Sequence, residues 1–589
     1  MQRLYASTGY AVEVDSPYSM WIIRIDHCGA IRHANHGSRN STKRIAMIAS
    51  SATQDTAIAT FAPWDMLTPS AFPHPVARLE IKETNISWVM LTGPYAYKVK
   101  KSVDFGFIDS STLSKRQHLC EEELRLNRRL APDLYMDVVA ITRDAVGMRV
   151  GGHGQVIEYA VRMRQFDASE ELSTLLEHGT VSAQDIGDLA VSISALHASA
   201  PRAPCGTEYL YTEQLHDAVL GNMAVLLAHL DAGTQLPEMG TIIDWTHDFL
   251  HDALSLLRLR EQSGFIRECH GDLHARNIVR WRGRLTPFDC LEFDPKLRWI
   301  DVMNDVAFLV MDLMTYVRTD LAFTFLNSYL EHTGDYDGVR LLPFYAVYRA
   351  LVRATVDSIG VERDVAHREQ FRQRLRMRVK TAADFIGAPP PTLFIMHGPS
   401  GSGKSFISER LAAQLGAVRI RSDLERKRLA ESQPPGARKV GFMQGIYTPD
   451  FSHRTYSRLL ECAKSCLQGG VNVIVDAAFL NSEDRRLFGE LAAQQAVQYV
   501  IVACEADRRI MVERIERRQA KVDPSDADVA VLDRQLQNRA TLRPDECLHV
   551  VAVDTSQAPA YEKALAAIQD RLAKAASVAG ASMKPHLRG

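Results

Sequence analysis

A glycine-rich segment that follows an apolar run is the feature that most restricts how this chain can fold. Residues 393–396 read LFIM, and residues 397–405 read HGPSGSGKS, which fits the pattern G-x-x-x-x-G-K-[ST]. Glycines in such a turn let backbone N–H groups converge on an anion, and the following helix adds the positive end of its dipole. The segment therefore predicts a strand, an anion-binding loop and a helix (405–415), as found in parallel α/β sheets.

The loop predicts a site for the phosphates of ATP. Lys404 is expected to reach the β- and γ-phosphates, and the Ser405 hydroxyl is expected to bind Mg²⁺. A chance glycine turn is the alternative interpretation. The residues expected to bind ATP in this loop are Gly398, Pro399, Ser400, Gly401, Ser402, Gly403, Lys404 and Ser405.

Two acids and a group of arginines follow the loop in the order that a phosphoryl-transfer site needs. Asp423 follows a short predicted strand at 417–420 and is predicted to take a proton from an attacking hydroxyl, although it could simply cap a helix. Asp476 ends the predicted strand 471–475 and is a candidate Mg²⁺ ligand, or only a polar strand end. Arg514, Arg517 and Arg518 share one predicted helical face and are candidates to form a lid that closes over phosphate, or they belong to a solvated charged face.

Together these motifs resemble the small P-loop kinases, a group that includes gluconate-kinase-like, chloramphenicol-phosphotransferase-like, zeta-toxin-like and polynucleotide 5′-kinase-like enzymes. The resemblance covers about residues 392–575 and implies an α/β P-loop kinase-like domain with a parallel sheet. Only the glycine-rich loop is highly specific in it.

A second motif lies in the first half of the chain. Residues 270–277 read HGDLHARN, which fits H-x-D-x-x-x-x-N, and Asp289 follows twelve residues later. Phosphoryl transfer needs one Asp to accept the proton of the acceptor hydroxyl, and it needs an Asn and a second Asp to hold Mg²⁺. The spacing predicts these roles for Asp272, Asn277 and Asp289, with a hairpin at 278–287 between them; a chance HGD turn is the alternative.

Such a site also needs a lysine on a strand and a glutamate on a helix. Lys98 is the first candidate for the lysine and Lys100 the second, because both lie on one face of a predicted strand at 95–101. Glu123, in a predicted helix over 111–130, is the candidate glutamate, and a solvated Lys/Glu surface is the alternative.

These residues resemble the aminoglycoside phosphotransferase and choline kinase branch of the protein-kinase-like fold, over about residues 75–385. The resemblance implies an α+β two-lobed domain in which Asp272 is the catalytic base, His270 supports the loop and Asp305 braces it. One departure from protein kinases is that no G-x-G-x-x-G loop precedes the lysine.

The predicted organisation has five parts. Helices are expected at 181–199 and 212–260, a β-rich block at 265–300, and a largely helical region at 303–387. Met47, within the first 70 residues, offers a second possible start of the protein. The predicted parts are a loosely ordered leader (1–70), a protein-kinase-like domain (71–387), a Pro-rich linker (388–392), a P-loop domain (393–575) and a tail (576–589).

The composition restricts which cellular environment and which binding partners are expected for this protein. The 589 residues include 69 Lys plus Arg and 71 Asp plus Glu, a net charge of −2, which gives no reason to expect nucleic acid or an anionic membrane as a partner. Nine cysteines without a CxxC pair predict a reduced protein without disulfides or zinc. No apolar run is long enough to span a membrane. We expect a cytoplasmic protein that acts on a small-molecule hydroxyl acceptor.

The order of the two halves resembles a bacterial family described as bifunctional aminoglycoside phosphotransferase/ATP-binding protein. It implies two sites for ATP and Mg²⁺ and transfer of the γ-phosphoryl group to a hydroxyl of a small molecule. Two alternatives remain open at this point. One is a nucleotide-dependent regulator in which one domain only binds ATP, and the other is a polynucleotide or toxin-type kinase activity in the second half.

Overall fold

The structure is a computed structural model, and most of the predicted leader lies outside the residues it describes. None of the described helices combines the length and apolarity that a membrane crossing requires. The described residues are 13–14, 22–26, 61–104, 108–203, 211–230, 234–431, 448–519 and 528–582.

The N-terminal region is built on an eight-stranded antiparallel sheet with the order β1-β2-β3-β4-β5-β8-β6-β7. A turn at residues 92–94 joins β4 to β5, and both faces of β5 are largely buried. The strands are β1 (Glu13–Val14), β2 (Ile22–Asp26), β3 (Arg78–Glu83), β4 (Ser87–Leu91), β5 (Tyr95–Lys100), β6 (Tyr135–Asp144), β7 (Gly147–Val150) and β8 (Gln155–Arg164).

Helix α1 (Leu113–Asn127) packs against this sheet and confirms the helix predicted over 111–130. It begins after Thr112, whose hydroxyl accepts a hydrogen bond from the backbone N–H of Lys115 at 3.3 Å. Its buried face includes Leu119 and Cys120 together with the carboxylate of Glu123. The spacing of three and four residues that buries the apolar side chains therefore also carries Glu123 under the sheet.

A mainly helical part follows, with two small antiparallel sheets inserted in it. The helical character predicted for 212–260 is confirmed over most of that range, as two helices with Pro237 between them, where its ring and missing N–H disfavour a continuous helix. The predicted hairpin at 278–287 is confirmed as β10 and β11. The helices are α2 (Leu172–Glu177), α3 (Ala183–Ser199), α4 (Tyr211–Ala228), α5 (Met239–Gln262), α6 (Val302–Thr315), α7 (Thr319–Thr333), α8 (Leu342–Arg363) and α9 (Arg368–Ile386). The strands are β9 (Ile266–Glu268), β10 (Ile278–Trp281), β11 (Arg284–Pro287) and β12 (Trp299–Asp301), with β9 paired to β12.

The C-terminal region is a five-stranded parallel sheet with the order β14-β15-β13-β16-β17, which confirms the parallel sheet predicted there. Apolar side chains fill both faces of its central strands, as parallel sheets covered by helices require. The strands are β13 (Thr392–His397), β14 (Ala417–Arg421), β15 (Asn472–Asp476), β16 (Gln498–Glu505) and β17 (Val550–Asp554). The helices are α10 (Lys404–Leu415), α11 (Ser422–Glu431), α12 (Pro449–Gln468), α13 (Ser482–Gln494), α14 (Arg508–Gln519), α15 (Val529–Asn538), α16 (Pro544–Cys547) and α17 (Ala560–Ser582).

The two regions share one continuous apolar core, although the Pro-rich segment separates them in sequence. Helix α7 lies along edge strand β14 of the parallel sheet. The Asn327 side chain donates a hydrogen bond to the carbonyl of Ala417 at 2.9 Å and accepts one from the N–H of Arg419 at 2.7 Å. Asn327 thus supplies the hydrogen bonds that a further strand would make at this edge.

We expect Asn327→Ala to destabilise the contact between the two regions. The substitution leaves a buried carbonyl and a buried N–H of β14 without partners, which should lower the free energy of unfolding by about 2–5 kcal/mol. Urea unfolding followed by circular dichroism measures the change. Asn538→Ala, at an exposed position at the end of α15, is the matched control. Equal stabilities of the two variants would show that the edge does not need Asn327.

Candidate active sites

The first candidate site lies between the antiparallel sheet and the helical part. On the side of the sheet it is formed by buried charged residues. Lys98 on β5 contacts two carboxylates: Glu123 on α1 at 2.9 Å and Asp289 in a shorter contact. Lys100 contacts the other oxygen of Glu123 at 2.5 Å and also contacts Glu292. Glu123 therefore lies between both candidate lysines, so the structure brings together the predicted Lys98, Glu123 and Asp289.

The charge of Glu123 is fixed by these contacts. Burial alone would raise the pKa of this carboxyl, but the ammonium groups of Lys100 and Lys98 outweigh burial and lower it to about 2. Burial would likewise lower the pKa of Lys98, but Asp289 and Glu123 raise it. Both partners therefore stay charged at neutral pH, and the predicted interpretation as a solvated Lys/Glu surface does not hold for a pair this deeply buried.

The predicted catalytic loop, residues 270–277, forms the opposite side of the site, in the helical part. The Asn277 side-chain amide donates to the Asp272 carboxylate at 2.8 Å and to its backbone carbonyl at 3.0 Å. The buried carboxylate of Asp305 accepts hydrogen bonds from the N–H groups of His270 and Gly271, both at 3.0 Å. Asp305 thus holds the start of the loop from helix α6, which confirms the bracing predicted for it.

Asp289 reaches the site from an unusual backbone conformation. Its φ of 61° lies in the left-handed region, which disfavours side chains with a β-carbon. The phenol oxygen of Tyr135 accepts a hydrogen bond from the Asp289 N–H at 3.1 Å, and Asn127 accepts one from the next N–H at 2.9 Å. These contacts hold the strained turn, so that the side chain of Asp289, 40% exposed, faces the space beside Lys98.

The oxygen atoms at this site fit a divalent cation of the Mg²⁺ type. The Asn277 amide nitrogen is used by Asp272, which leaves its carbonyl oxygen as the donor atom, and Asp289 offers a partly exposed carboxylate. A second set of possible ligands, His197, Cys269 and Asp305, is buried among the helices. Asp305 and His197 are already hydrogen bonded, with Nδ1 of His197 2.9 Å from the Tyr329 hydroxyl, so this set is part of the packing.

The second candidate site is the glycine-rich loop between β13 and α10. Gly401 has a φ of 79°, and a β-carbon there would lie 2.6 Å from the carbonyl oxygen of Met511, so only glycine fits. Lys404 folds back over the loop and donates to the Pro399 carbonyl at 2.8 Å. The Ser400 N–H donates to the side chain of Gln535 on α15 at 2.7 Å, a contact that sequence reasoning did not predict.

The predicted acids of the second site lie at the carboxyl ends of neighbouring strands. Asp476 ends β15 and is buried, where it accepts a hydrogen bond from Ser408 at 2.9 Å. Asp423 begins α11 and contacts Arg421 at 3.0 Å. Glu331 on α7 contacts Arg419 at 2.7 Å and Arg421 at 3.5 Å, so a side chain of the N-terminal region reaches the arginine that holds Asp423.

The predicted lid arginines differ from one another in position. Arg514 donates to the Gly401 carbonyl at 3.1 Å and to the Thr555 hydroxyl and carbonyl at 2.9 and 2.6 Å, so it contacts the loop itself. Arg517 is 82% exposed and lies on the solvent side of the helix. The side chain of Arg518 lies outside the described residues. Binding of phosphate by Arg514 and Arg518 therefore stays a prediction.

One known protein family matches the C-terminal region. The profile of a family described as an AAA domain matches residues 393–542, which include the glycine-rich loop and most of the parallel sheet. This region is a P-loop domain with a parallel sheet. An uncharacterized protein of Mycobacterium tuberculosis is 28% identical over 464 residues, which cover 78% of this chain and 90% of that protein, and a counterpart in Mycobacterium bovis matches equally.

Solved structures show weaker likenesses. A gluconokinase from Sinorhizobium meliloti is 26% identical and covers 32% of this chain and 97% of its own, with a TM-score of 0.25. A choline/ethanolamine kinase family protein from Mesorhizobium loti is 13% identical and covers 55% of this chain and 92% of its own, with a TM-score of 0.34. Both scores are low, so these likenesses carry no argument about function.

We expect Glu123→Gln to destabilise the N-terminal region because it leaves two buried ammonium groups with too few negative partners, at a cost of about 3–5 kcal/mol. Since the folded-state pKa of Glu123 is depressed from 4.5 to about 2, its contribution is present above about pH 4.5 and is lost as the pH falls toward 2. Unfolding free energies measured across this range should therefore fall less with acid in the variant than in the wild type. Glu121→Gln, on the exposed side of the same helix, is the control. Parallel pH profiles for wild type and Glu123→Gln would contradict the assignment.

We expect Glu331→Gln to lower turnover at the second site by up to about fivefold, because a partly exposed ion pair that orients Arg421 is weakened. The KM for ATP should stay unchanged, since the glycine-rich loop is not touched. Asp337→Asn is the matched control, because Asp337 also lies at the contact between the regions but meets Ser465 instead of Arg421. Equal effects of the two variants would mean that Glu331 acts only on stability.

Proposed function

We propose that this chain is an ATP- and Mg²⁺-dependent phosphotransferase with two nucleotide sites, which transfers the γ-phosphoryl group to a hydroxyl of a small molecule. In this proposal the N-terminal region is a two-lobed, protein-kinase-like domain of the aminoglycoside phosphotransferase type, and the C-terminal region is a P-loop kinase. The observation that supports it most is that Lys98 contacts both Glu123 and Asp289, while the Asn277 amide contacts Asp272 in the predicted catalytic loop.

The proposed chemistry at the first site is direct transfer. Asp272 orients the acceptor hydroxyl and accepts its proton as the oxygen–phosphorus bond forms and the bond to the leaving ADP oxygen breaks. Burial alone would raise the pKa of the Asp272 carboxyl, but His274 and Arg353 hold it well below its usual value, so it is ionised and able to accept. Lys98 binds phosphate oxygens, and Asn277 and Asp289 would hold Mg²⁺, which neutralises the charge of the phosphates.

The proposed second site uses different groups for the same reaction. The backbone N–H groups of 398–405 and the Lys404 ammonium bind the β- and γ-phosphates, and Ser405 with Asp476 would hold Mg²⁺. Asp423 accepts the proton of the second acceptor. The AAA-domain profile over this region supports nucleotide binding here.

A second candidate function is a regulator in which the C-terminal site only binds ATP. The contacts of Lys404 with Pro399 and of Ser400 with Gln535 favour it, because two groups expected to bind phosphate are engaged within the protein. Nucleotide binding would have to displace these contacts, and the displacement could be the regulatory signal.

Transfer from γ-labelled ATP to a pooled metabolite extract separates the two functions. Asp272→Asn should lower the first site's turnover by about 10²–10⁴-fold, and Lys404→Ala should lower the second site's by about 10²–10³-fold. Asp133→Asn and Lys574→Ala, at exposed positions, are the matched controls. Two labelled products, each removed by one substitution, support two kinases. One product that is insensitive to Lys404→Ala supports the regulator, and a product insensitive to Asp272→Asn contradicts the first site.

A further inference from the structure

Among the described residues, all but one of the fully buried arginines are paired with carboxylates; the exception, Arg349, donates to the side-chain oxygen of Asn304 at 2.7 Å. Arg260 contacts Asp301 and Asp335, each at 2.7 Å, and Arg378 contacts Asp312 at 2.8 Å. Such pairing is what the cost of burying a guanidinium demands. Two further buried pairs are Arg485 with Glu546 and Arg116 with Glu158.

Arg353 on α8 departs from this pattern, and it does so beside the predicted catalytic loop. Among the described residues, no carboxylate lies within ion-pair distance of its guanidinium, and its Nε is buried without a hydrogen-bond partner. Its one hydrogen-bond contact is between Nη1 and Nε2 of His274, at 3.1 Å. The same Nε2 lies 3.3 Å from the Asp272 carboxylate. One imidazole nitrogen therefore separates Arg353 from the proposed catalytic base.

The hydrogen bonds of His274 show that it does not satisfy Arg353. Its Nδ1 accepts a hydrogen bond from the Arg276 N–H at 3.2 Å, so Nδ1 carries the lone pair. With the lone pair on Nδ1, the ring is the neutral tautomer that carries its one proton on Nε2. That proton points to Asp272. The Nη1 donor of Arg353 therefore faces a protonated nitrogen and has no acceptor there.

The two acids whose charges act on the guanidinium, Asp272 and Asp312, are both hydrogen bonded to other groups. The nearest other acid, Asp312, is occupied: one oxygen accepts from Arg378 at 2.8 Å and the other from the Ala275 N–H at 2.9 Å. Burial lowers the pKa of Arg353; the charges of Asp272 and Asp312 raise it, and those of Arg378 and Arg276 lower it. A half-buried guanidinium with unused donors is suited to binding a carboxylate or phosphate group.

We propose that Arg353 binds an acidic group of the phosphoryl acceptor, so that the first site takes an anionic hydroxy compound, one that carries a carboxylate or a phosphate near the reacting hydroxyl. This inference rests on the phosphotransferase function proposed above and names its substrate class. The acceptor's anion supplies the acceptor atoms that Arg353 lacks, while its hydroxyl lies against Asp272. A polyamine sugar or another cationic acceptor would instead place like charges together at this position.

A fractionated extract tests the substrate class. The Lys404→Ala variant, in which the second site is silenced, is given γ-labelled ATP and a metabolite extract that has been freed of nucleotides with charcoal and split on an anion exchanger. Label should appear in products of the retained, anionic fraction. Arg353→Gln should reduce this transfer about tenfold or more, since it removes charged hydrogen bonds to the acceptor, and Arg353→Lys should restore part of it. Arg376→Gln, an exposed arginine on the next helix, is the control.

Two results of this experiment would overturn the proposal. Label that appears mainly in products of the unretained fraction shows a neutral or cationic acceptor. A loss in Arg353→Gln that is equally large for ATP hydrolysis without acceptor shows that Arg353 contacts the γ-phosphate instead.

A binding measurement separates failure of this inference from failure of the proposed activity. If no fraction is labelled, the first site is not a phosphotransferase under these conditions, and calorimetric titration with inorganic phosphate and with malonate decides whether the anion site exists. In the Lys404→Ala background, Arg353→Gln should raise the Kd of at least one of these anions about tenfold relative to Arg376→Gln. The anion that binds more tightly shows whether the site prefers a phosphate group or a carboxylate. Equal Kd values in both variants would overturn the anion site.

Discussion

The edge of the parallel sheet is the constraint on which the joint architecture depends. Strand β14 lies at the end of the sheet, and its outward N–H and C=O groups are buried, so they need partners within the protein. Asn327 provides them from a helix of the N-terminal region, and Glu331, one turn later on the same helix face, pairs with Arg419 of the same strand. The continuous apolar core follows from this contact, because it brings α7 against β14 and α10.

The same contact connects the two candidate sites through few side chains. Glu331 reaches Arg421, which holds Asp423 at the second site. On the other side, helix α6, which packs against α7, carries Asp305 and so holds the loop of the first site. The two sites are thus built on neighbouring helices of one core. A change in the packing of α7 would alter the surroundings of both.

The local motifs were predictable from the sequence because short-range geometry dictates them. The glycine-rich loop at 398–405 needs its glycines, and a catalytic loop needs its residues at fixed spacing, so both are visible in the chain. The structure also brings Lys98 to Glu123, and the helical period that predicts α1 accounts for the burial of Glu123. The break between α4 and α5 was missed although Pro237 marks it. Apolar periodicity continues on both sides of that proline.

Contacts between residues far apart in the sequence were not predictable from any local sequence pattern. Arg353 lies 79 residues from His274, and Asn327 lies 90 residues from Ala417, in helices where each residue reads as ordinary. Only the fold shows that one lacks a carboxylate and that the other completes a sheet edge. The shared core was also unpredictable, because the proline run suggests separation and says nothing about how the chain folds back.

The ion pair of Lys98 and Asp289 has a thermodynamic consequence for nucleotide binding at the first site. The two groups partly neutralise each other, so a nucleotide alone that takes the lysine would leave Asp289 unpaired, and a cation alone that takes Asp289 would leave Lys98 with only Glu123, which Lys100 shares. Only the two together replace the lost pair with two new ones. In the proposed function, the site would therefore couple the affinities for nucleotide and metal ion, and by linkage each would strengthen the binding of the other to the same degree.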